Sequence, residues 1–226
     1  MSVSSERRID FYFDYISHNA YLAWHLLPDM AKKYDYEIEP IPVLFAGFLK
    51  AYGQLGPAEV QPKLAWMNRN NLRKAMDFGI PFRAPKSHPF HPLLLLRLCA
   101  QPMTSEERRN VTGCLLRGIW VDQLDANDAD AVETYLSSNG LAADALIAGA
   151  ASDAAKSQLK ENGQKALDSG AFGVPTMIVG DDVFWGFDDL PYLEKLLAGN
   201  DPLATADVTT YEAEWKHAKA QGQHRQ

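Results

Sequence analysis

Hydrophobic residues change their spacing several times along the chain. Over residues 9–15 (IDFYFDY) aromatic and β-branched side chains follow one another with no helical stripe, which predicts a strand buried on both faces. After Ile16 the period lengthens. Leu22, Leu26 and Met30 fall four apart, with Tyr21, Trp24 and Leu27 widening the stripe, so a helix is predicted over 18–34. Ser17 stands just before it, and a serine hydroxyl satisfies an orphan N–H of a first turn. Residues 37–44 (EIEPIPVL) predict a second strand; Pro40 and Pro42, lacking an N–H, place it near an edge or a bulge. Strand, helix, strand is the order of a parallel unit.

From Phe45 to about Leu167 the pattern is helix and short loop. Helices are predicted over 64–78, 92–100, 105–121, 129–139, 142–149 and 153–169. Breaks fall at Gly53, Gly56 and Pro57, at Gly79-Ile80-Pro81, through the proline-rich stretch from Pro85 to Pro92, and at Asn139-Gly140. No repeat of 20–50 residues is visible. The period then returns to strands. Residues 174–179 and 183–185 flank Gly180-Asp181-Asp182, a hairpin signal. Asp188 or Asp189 is expected to cap a helix running to about Ala198, with Leu190, Leu193, Leu196 and Leu197 on one side. A last helix is predicted over 209–220, carrying Tyr211 and Trp215, and the terminal QGQHRQ is expected to fray. The sum is β-α-β, a helical block, then β-β-α, with the strands of both ends paired in one sheet.

Composition narrows the function classes. The 226 residues are 46% hydrophobic and 23% charged, an ordinary globular profile. The longest aliphatic run is Leu93 to Leu96, far short of the roughly 20 residues of a membrane helix. The start, MSVSSERRIDFYF, lacks the apolar core of a signal peptide, so a cytoplasmic location is expected. A net charge of −7 disfavours nucleic-acid binding, although Arg69, Arg73 and Lys74 make a local basic patch suited to an anionic small molecule. The two cysteines, Cys99 and Cys114, form no C-x-x-C pair and are read as apolar fillers. His88 and His91 are three apart with prolines between them and no third ligand in sight, so no metal site is expected.

Four motifs then stand in order: F-D-Y-I-S at 13–17, G-Q-L-G-P at 53–57, F-G-V-P-T at 172–176 and F-W-G-F-D at 184–188. Together they resemble the 2-hydroxychromene-2-carboxylate isomerases, relatives of the kappa-class glutathione transferases. The likeness runs from about residue 9 to residue 200. It implies an α/β, thioredoxin-like DsbA fold with a large all-helical insertion, residues 1–55 and 168–226 forming a discontinuous thioredoxin-like domain around an insertion at 56–167. It also implies glutathione as cofactor.

Each matching residue has a physical reason to serve. Ser17 stands where DsbA-like oxidoreductases carry a reactive cysteine. The helix N-terminus and one hydroxyl donor there suit a thiolate brought by glutathione. Val174-Pro175 resembles the family's cis-proline loop, whose peptide groups pair with the cysteinyl backbone of glutathione in the manner of an added strand. Asp188 matches the acidic residue that meets the γ-glutamyl ammonium. Gln54 stands where the family often has asparagine. The chain departs from the family's S-P-Y-S in reading S-H-N-A, which puts His18 beside the thiol site. The family's lysine in the helix before G-I-P is not evident, Asn68 and Arg69 being the residues near its place. Trp66, Met67 and Phe82 are either core or the lining of an aromatic pocket.

The resemblance implies a glutathione-dependent isomerase that acts on an aromatic conjugated carbonyl compound by thiolate addition, bond rotation and elimination. The rivals are a kappa-like transferase that keeps the adduct and a non-redox, DsbA-like peptide-binding protein. A third rival, a DsbA-like disulfide oxidoreductase, needs a redox-active cysteine at the first helix, and Ser17 with no cysteine nearby argues strongly against it. The implied partner is a small aromatic substrate, with neither nucleic acid nor membrane, and family members often form homodimers.

Overall fold

The computed structural model describes residues 7–223, with the side chains of 7–219. Residues 1–6 and 224–226 lie outside it, and with them the first six residues of the stretch read for a signal peptide and part of the tail expected to fray.

Four strands form one mixed sheet in the order β2-β1-β3-β4. β1 (Arg8–Phe13) runs parallel to β2 (Glu37–Pro42), with Phe11 opposite Pro40. It runs antiparallel to β3 (Thr176–Val179), with Phe11 opposite Met177. β4 (Asp182–Trp185) closes the hairpin on β3. β2 is an edge strand, as its two prolines predicted, because a ladder with a neighbour on that side would need the donors they lack. The pleat sorts β1 between two cores. Ile9, Phe11 and Phe13 join one large cluster, while Tyr12 packs on the opposite face with Ile41, Val43, Phe48 and Ile178.

α1 (His18–Lys33) returns the chain from β1 to β2. The helices that follow are α2 (Phe45–Tyr52), α3 (Gln61–Asp77), α4 (Leu93–Ala100), α5 (Ser105–Trp120), α6 (Ala129–Ser138), α7 (Ala143–Ala150) and α8 (Asp153–Asp168). After the hairpin come α9 (Leu190–Leu197) and α10 (Val208–Gln223), the latter extending through residues expected to fray. This is the thioredoxin-like DsbA fold that the resemblance implies, with a helical block between β2 and β3 as the sequence pattern predicted.

Two local readings are corrected. α2 is not among the helices that periodicity named; its Phe48 is buried against Tyr12 and Ile41, and Gly53, at φ 63°, ends it. The N-terminus of α9 has no side-chain cap. Asp189 instead accepts the Trp185 N–H at 2.8 Å, and Asp188 turns to Lys74.

The helical block is tied to the sheet by apolar and polar contacts. Leu95, Leu96, Leu115 and Leu116 share the large cluster with Phe11 and Leu22. Arg108 on α5 pairs with Glu39 on β2, both mostly buried. Trp120, at the end of α5 and 2% exposed, donates its indole N–H to the Tyr15 carbonyl at 3.1 Å. Trp120→Ala is expected to cost about 3–5 kcal/mol of stability in urea unfolding, the range for losing a buried large aromatic. Trp120→Phe is expected to cost about 1–3 kcal/mol, because it leaves the buried Tyr15 carbonyl without its donor.

Candidate functional site

The turn from β1 into α1 is built on a buried carboxylate. Asp14 is fully buried and accepts the Ile16 N–H at 3.1 Å and the Phe45 N–H at 2.8 Å, while its carbonyl accepts the Ser17 N–H at 3.0 Å. Burial pushes its carboxyl up to about 7, against the lowering effect of the N–H donors. This frame sets Ser17 as the N-cap of α1. Its hydroxyl accepts from the Ala20 N–H at 3.2 Å and donates to the Val174 carbonyl at 3.4 Å. Two elements distant in sequence therefore meet at one side chain.

Val174-Pro175 is a cis peptide, and the Val174 N–H has no acceptor among the described residues. The loop around it is braced. Gly186 N–H donates to the Pro175 carbonyl at 2.8 Å, and the Thr176 hydroxyl donates to the Gly173 carbonyl at 2.8 Å. Trp185 lies so close over Gly173 that a Cβ there would fall 2.6 Å from the indole nitrogen. This contact brings the 172–176 and 184–188 motifs together. Tyr52 donates its hydroxyl to the Ala171 carbonyl at 3.1 Å, which holds the end of α2 and the loop carrying Gln54 on the same side.

His18 follows Ser17 into a shell of flat rings. It stacks on Trp120 with centroids 5.7 Å apart and planes 15° apart; Phe82 stacks on Trp120 at 5.8 Å, and Tyr21 on Phe82 at 6.2 Å. His88 stands 6.3 Å from His18, its Nε2 3.0 Å from the Ile16 carbonyl. Both ring nitrogens of His18 are buried with no hydrogen-bond partner among the described residues. Burial first, then the positive influence of His88 and Lys74, drives its pKa down to about 4, so the ring is neutral at pH 7.

α3 presents a polar side to α1. Its buried residues Met67, Asn71 and Ala75 fall four apart. Asn71 is 1% exposed and neither its amide oxygen nor its nitrogen has a partner among the described residues. Lys74, on the same face, reaches the Asn19 side-chain oxygen at 3.4 Å and the Asp188 carboxylate at 2.8 Å. Its ammonium also lies 5.2 Å over the Phe187 ring.

A DSBA-like thioredoxin domain model matches residues 8–198. A 2-hydroxychromene-2-carboxylate isomerase of Sphingobium xenophagum is 34% identical over 193 residues, 84% of this chain and 98% of the relative. The chain belongs to the DSBA-like thioredoxin family, among the relatives of the 2-hydroxychromene-2-carboxylate isomerases. A glutathione S-transferase kappa 2 of Caenorhabditis elegans is 26% identical, covering 84% of this chain and 91% of the relative. A solved 2-hydroxychromene-2-carboxylate isomerase shares the fold with a TM-score of 0.78 at 24% identity, over 84% of this chain and 94% of that one.

In this family member Ser17, His18, Val174 and Pro175 come together, and Phe82 joins them through the Trp120 stack. Asp188 is exposed and reaches the site through Lys74. Gln54 is exposed, with its backbone N–H on the Leu49 carbonyl. Trp66 is 59% exposed and stands one residue off the face that α3 turns to α1. Asn68 and Arg69 are exposed too, and Arg73 likewise; of the basic patch only Lys74 turns inward. Asn71 and Trp120 went unnoticed in the sequence. Counting fours from Met67 leads to Asn71, whereas nothing local marks Trp120. Cys99 is buried and shares a 2.8 Å hydrogen bond with the Tyr15 hydroxyl. Burial raises its thiol pKa and is the main cause lifting that of Cys114 to about 11, which leaves both as thiols at pH 7.

The Asp14 carboxyl gives a pH signature. It holds its proton up to about 7 in the folded chain against an ordinary 3.8, so between those values the folded chain binds more protons than the unfolded one. Its contribution is complete below the unfolded value and is lost as pH rises through 7. Urea midpoints of the wild type should fall between pH 5 and pH 8, and Asp14→Asn should flatten that slope; an unchanged slope in the variant would contradict the assignment.

Proposed function

We propose that this chain is a glutathione-dependent isomerase acting on an aromatic conjugated carbonyl compound. The observation that carries the reading is the meeting of Ser17 and Val174 at the N-terminus of α1, with the hydroxyl 3.4 Å from the carbonyl. A cysteinyl residue laid along the open peptide edge at Val174 has its side chain at Ser17, where a hydroxyl and the positive end of a helix favour a thiolate. The relative at 34% identity bears an isomerase name, and the one at 26% a glutathione transferase name.

The residues present suit glutathione. The Val174 N–H is an unused donor among the described residues, and the largely buried Lys74 with its exposed partner Asp188 offers both charge signs to a zwitterionic γ-glutamyl end. Gln54 lies on the adjoining loop, within the reach of the Tyr52 brace. When bound, glutathione supplies a thiolate able to add to a conjugated carbonyl compound and leave again. The chain's own share is to lower the thiol pKa at Ser17, to place the substrate ring against Phe82, which Trp120 and Tyr21 back from inside, and to exclude water there. Trp66 is the outermost of the aromatic residues assigned to the substrate. A transferase outcome would use the same residues. We also assign the protein to the cytoplasm, where the glutathione pool is reduced, and leave a homodimer as the assembly that family likeness suggests.

Calorimetric titration with glutathione tests the reading. Binding in the micromolar to millimolar range is expected, weakened about tenfold in Lys74→Ala or Asp188→Ala, as expected for loss of one charge-assisted contact. No heat of binding at millimolar glutathione would refute the isomerase reading, whatever else the site holds.

A further inference from the structure

Among the described residues, His18 at the start of α1 and Asn71 on α3 each leave two buried polar atoms without a hydrogen-bond partner: both ring nitrogens of the one and both amide heavy atoms of the other. Native structures leave few such groups, since each bears its desolvation without a compensating bond. Asn71 is 1% exposed, on the face of α3 that also carries Met67, Lys74 and Ala75. Lys74 ties that face to the first turn of α1 by reaching Asn19, the residue after His18. The imidazole cannot swing freely, being stacked flat on Trp120 with planes 15° apart. It is also uncharged at pH 7, so it offers one N–H donor rather than a permanent cation. Beside it the half-buried Phe82 ring is stacked with the buried Trp120 and Tyr21 rings, the planes of each pair within 18°, so Phe82 is the aromatic surface there that a planar molecule can reach.

We propose that His18 and Asn71 form an oxyanion site, their N–H groups holding the carbonyl oxygen of the conjugated substrate as it takes on negative charge. The inference rests on the isomerase reading for its chemistry. A thiolate that adds to the β-carbon forms a C–S bond, and the C=C π pair moves to leave a charged oxygen on an enolate. The former double bond, now single, rotates. The enolate pair then re-forms C=C, and the C–S bond breaks to return the thiolate. Charge appears on the oxygen and leaves it again with no proton transferred, so donors fixed in a dry site lower both barriers. The Lys74 ammonium, held between Asn19 and Asp188, adds positive potential without needing contact.

The test uses 4-nitrophenolate as a stable aromatic oxyanion and 4-nitroanisole as its neutral counterpart. Absorbance titration of the full chain at pH 8 should show the wild type preferring the phenolate by at least about tenfold, with a shifted absorption maximum. Asn71→Leu and His18→Phe, which keep volume and ring stacking, should lose that preference and the shift. Their thermal midpoints should be maintained, because each removes a buried unpaired polar group. With cis-4-phenylbut-3-en-2-one and glutathione, the same variants should lose about 10²–10³-fold in kcat, the scale of one lost oxyanion donor, while glutathione affinity stays within about twofold. Equal binding of phenolate and anisole by the wild type, or a preference retained in both variants, would overturn the oxyanion site. A phenolate preference lost in the variants, in a protein that does not bind glutathione, would uphold the site and defeat the isomerase reading alone.

Discussion

Asp14 is the constraint on which the site depends. One fully buried carboxyl accepts N–H groups from the β1–α1 turn and from the start of α2, and its own carbonyl takes the Ser17 N–H. A carboxyl there is costly to ionise, but it fixes where β1 ends, where α1 begins and which way the first turn points. From that frame Ser17 is held with its hydroxyl between the Ala20 N–H and the Val174 carbonyl. The free N–H groups and positive end of α1 then face the loop that returns from the far end of the chain.

The helical block completes what the sheet begins. Trp120 on α5 is anchored to the Tyr15 carbonyl, one residue from Asp14, and carries His18 and Phe82 stacked on it. α3 supplies Asn71 and Lys74 from the other side. The Ser17 side of the site is thus made by β1, α1 and the Val174 loop, and Trp120, Phe82, Asn71 and Lys74 come to it from the block between β2 and β3. The inserted helices share the main core with β1 and α1, so the two sides are held at one spacing.

Much of this was legible in the sequence because the signals are local. A change of hydrophobic period marks β1, α1, the helical block and the hairpin, and two prolines mark β2 as an edge. The cap at Ser17 follows from residue type and position. What was missed depends on contacts between distant residues. α2 is a short helix of eight residues, made stable by Phe48 packing on Tyr12 and Ile41. Asp189 resembles a helix cap, but the Trp185 N–H competes for its carboxylate and wins. The place of the family's lysine in α3 falls near Asn68 and Arg69, neither of which takes its role and both of which are exposed, whereas packing of α3 on α1 selects the face of Asn71 and Lys74. Trp120 enters the site only because α5 ends beside Tyr15.

The central claim is that the Ser17 hydroxyl and the α1 N-terminus together stabilise a thiolate that the chain does not itself carry. Following the ultraviolet thiolate band of protein-bound glutathione against pH tests it most directly. The account predicts a bound thiol pKa at least about one unit below that of free glutathione, with most of the shift lost in Ser17→Ala. A bound thiol that titrates like the free one, or a shift unchanged in Ser17→Ala, would contradict it.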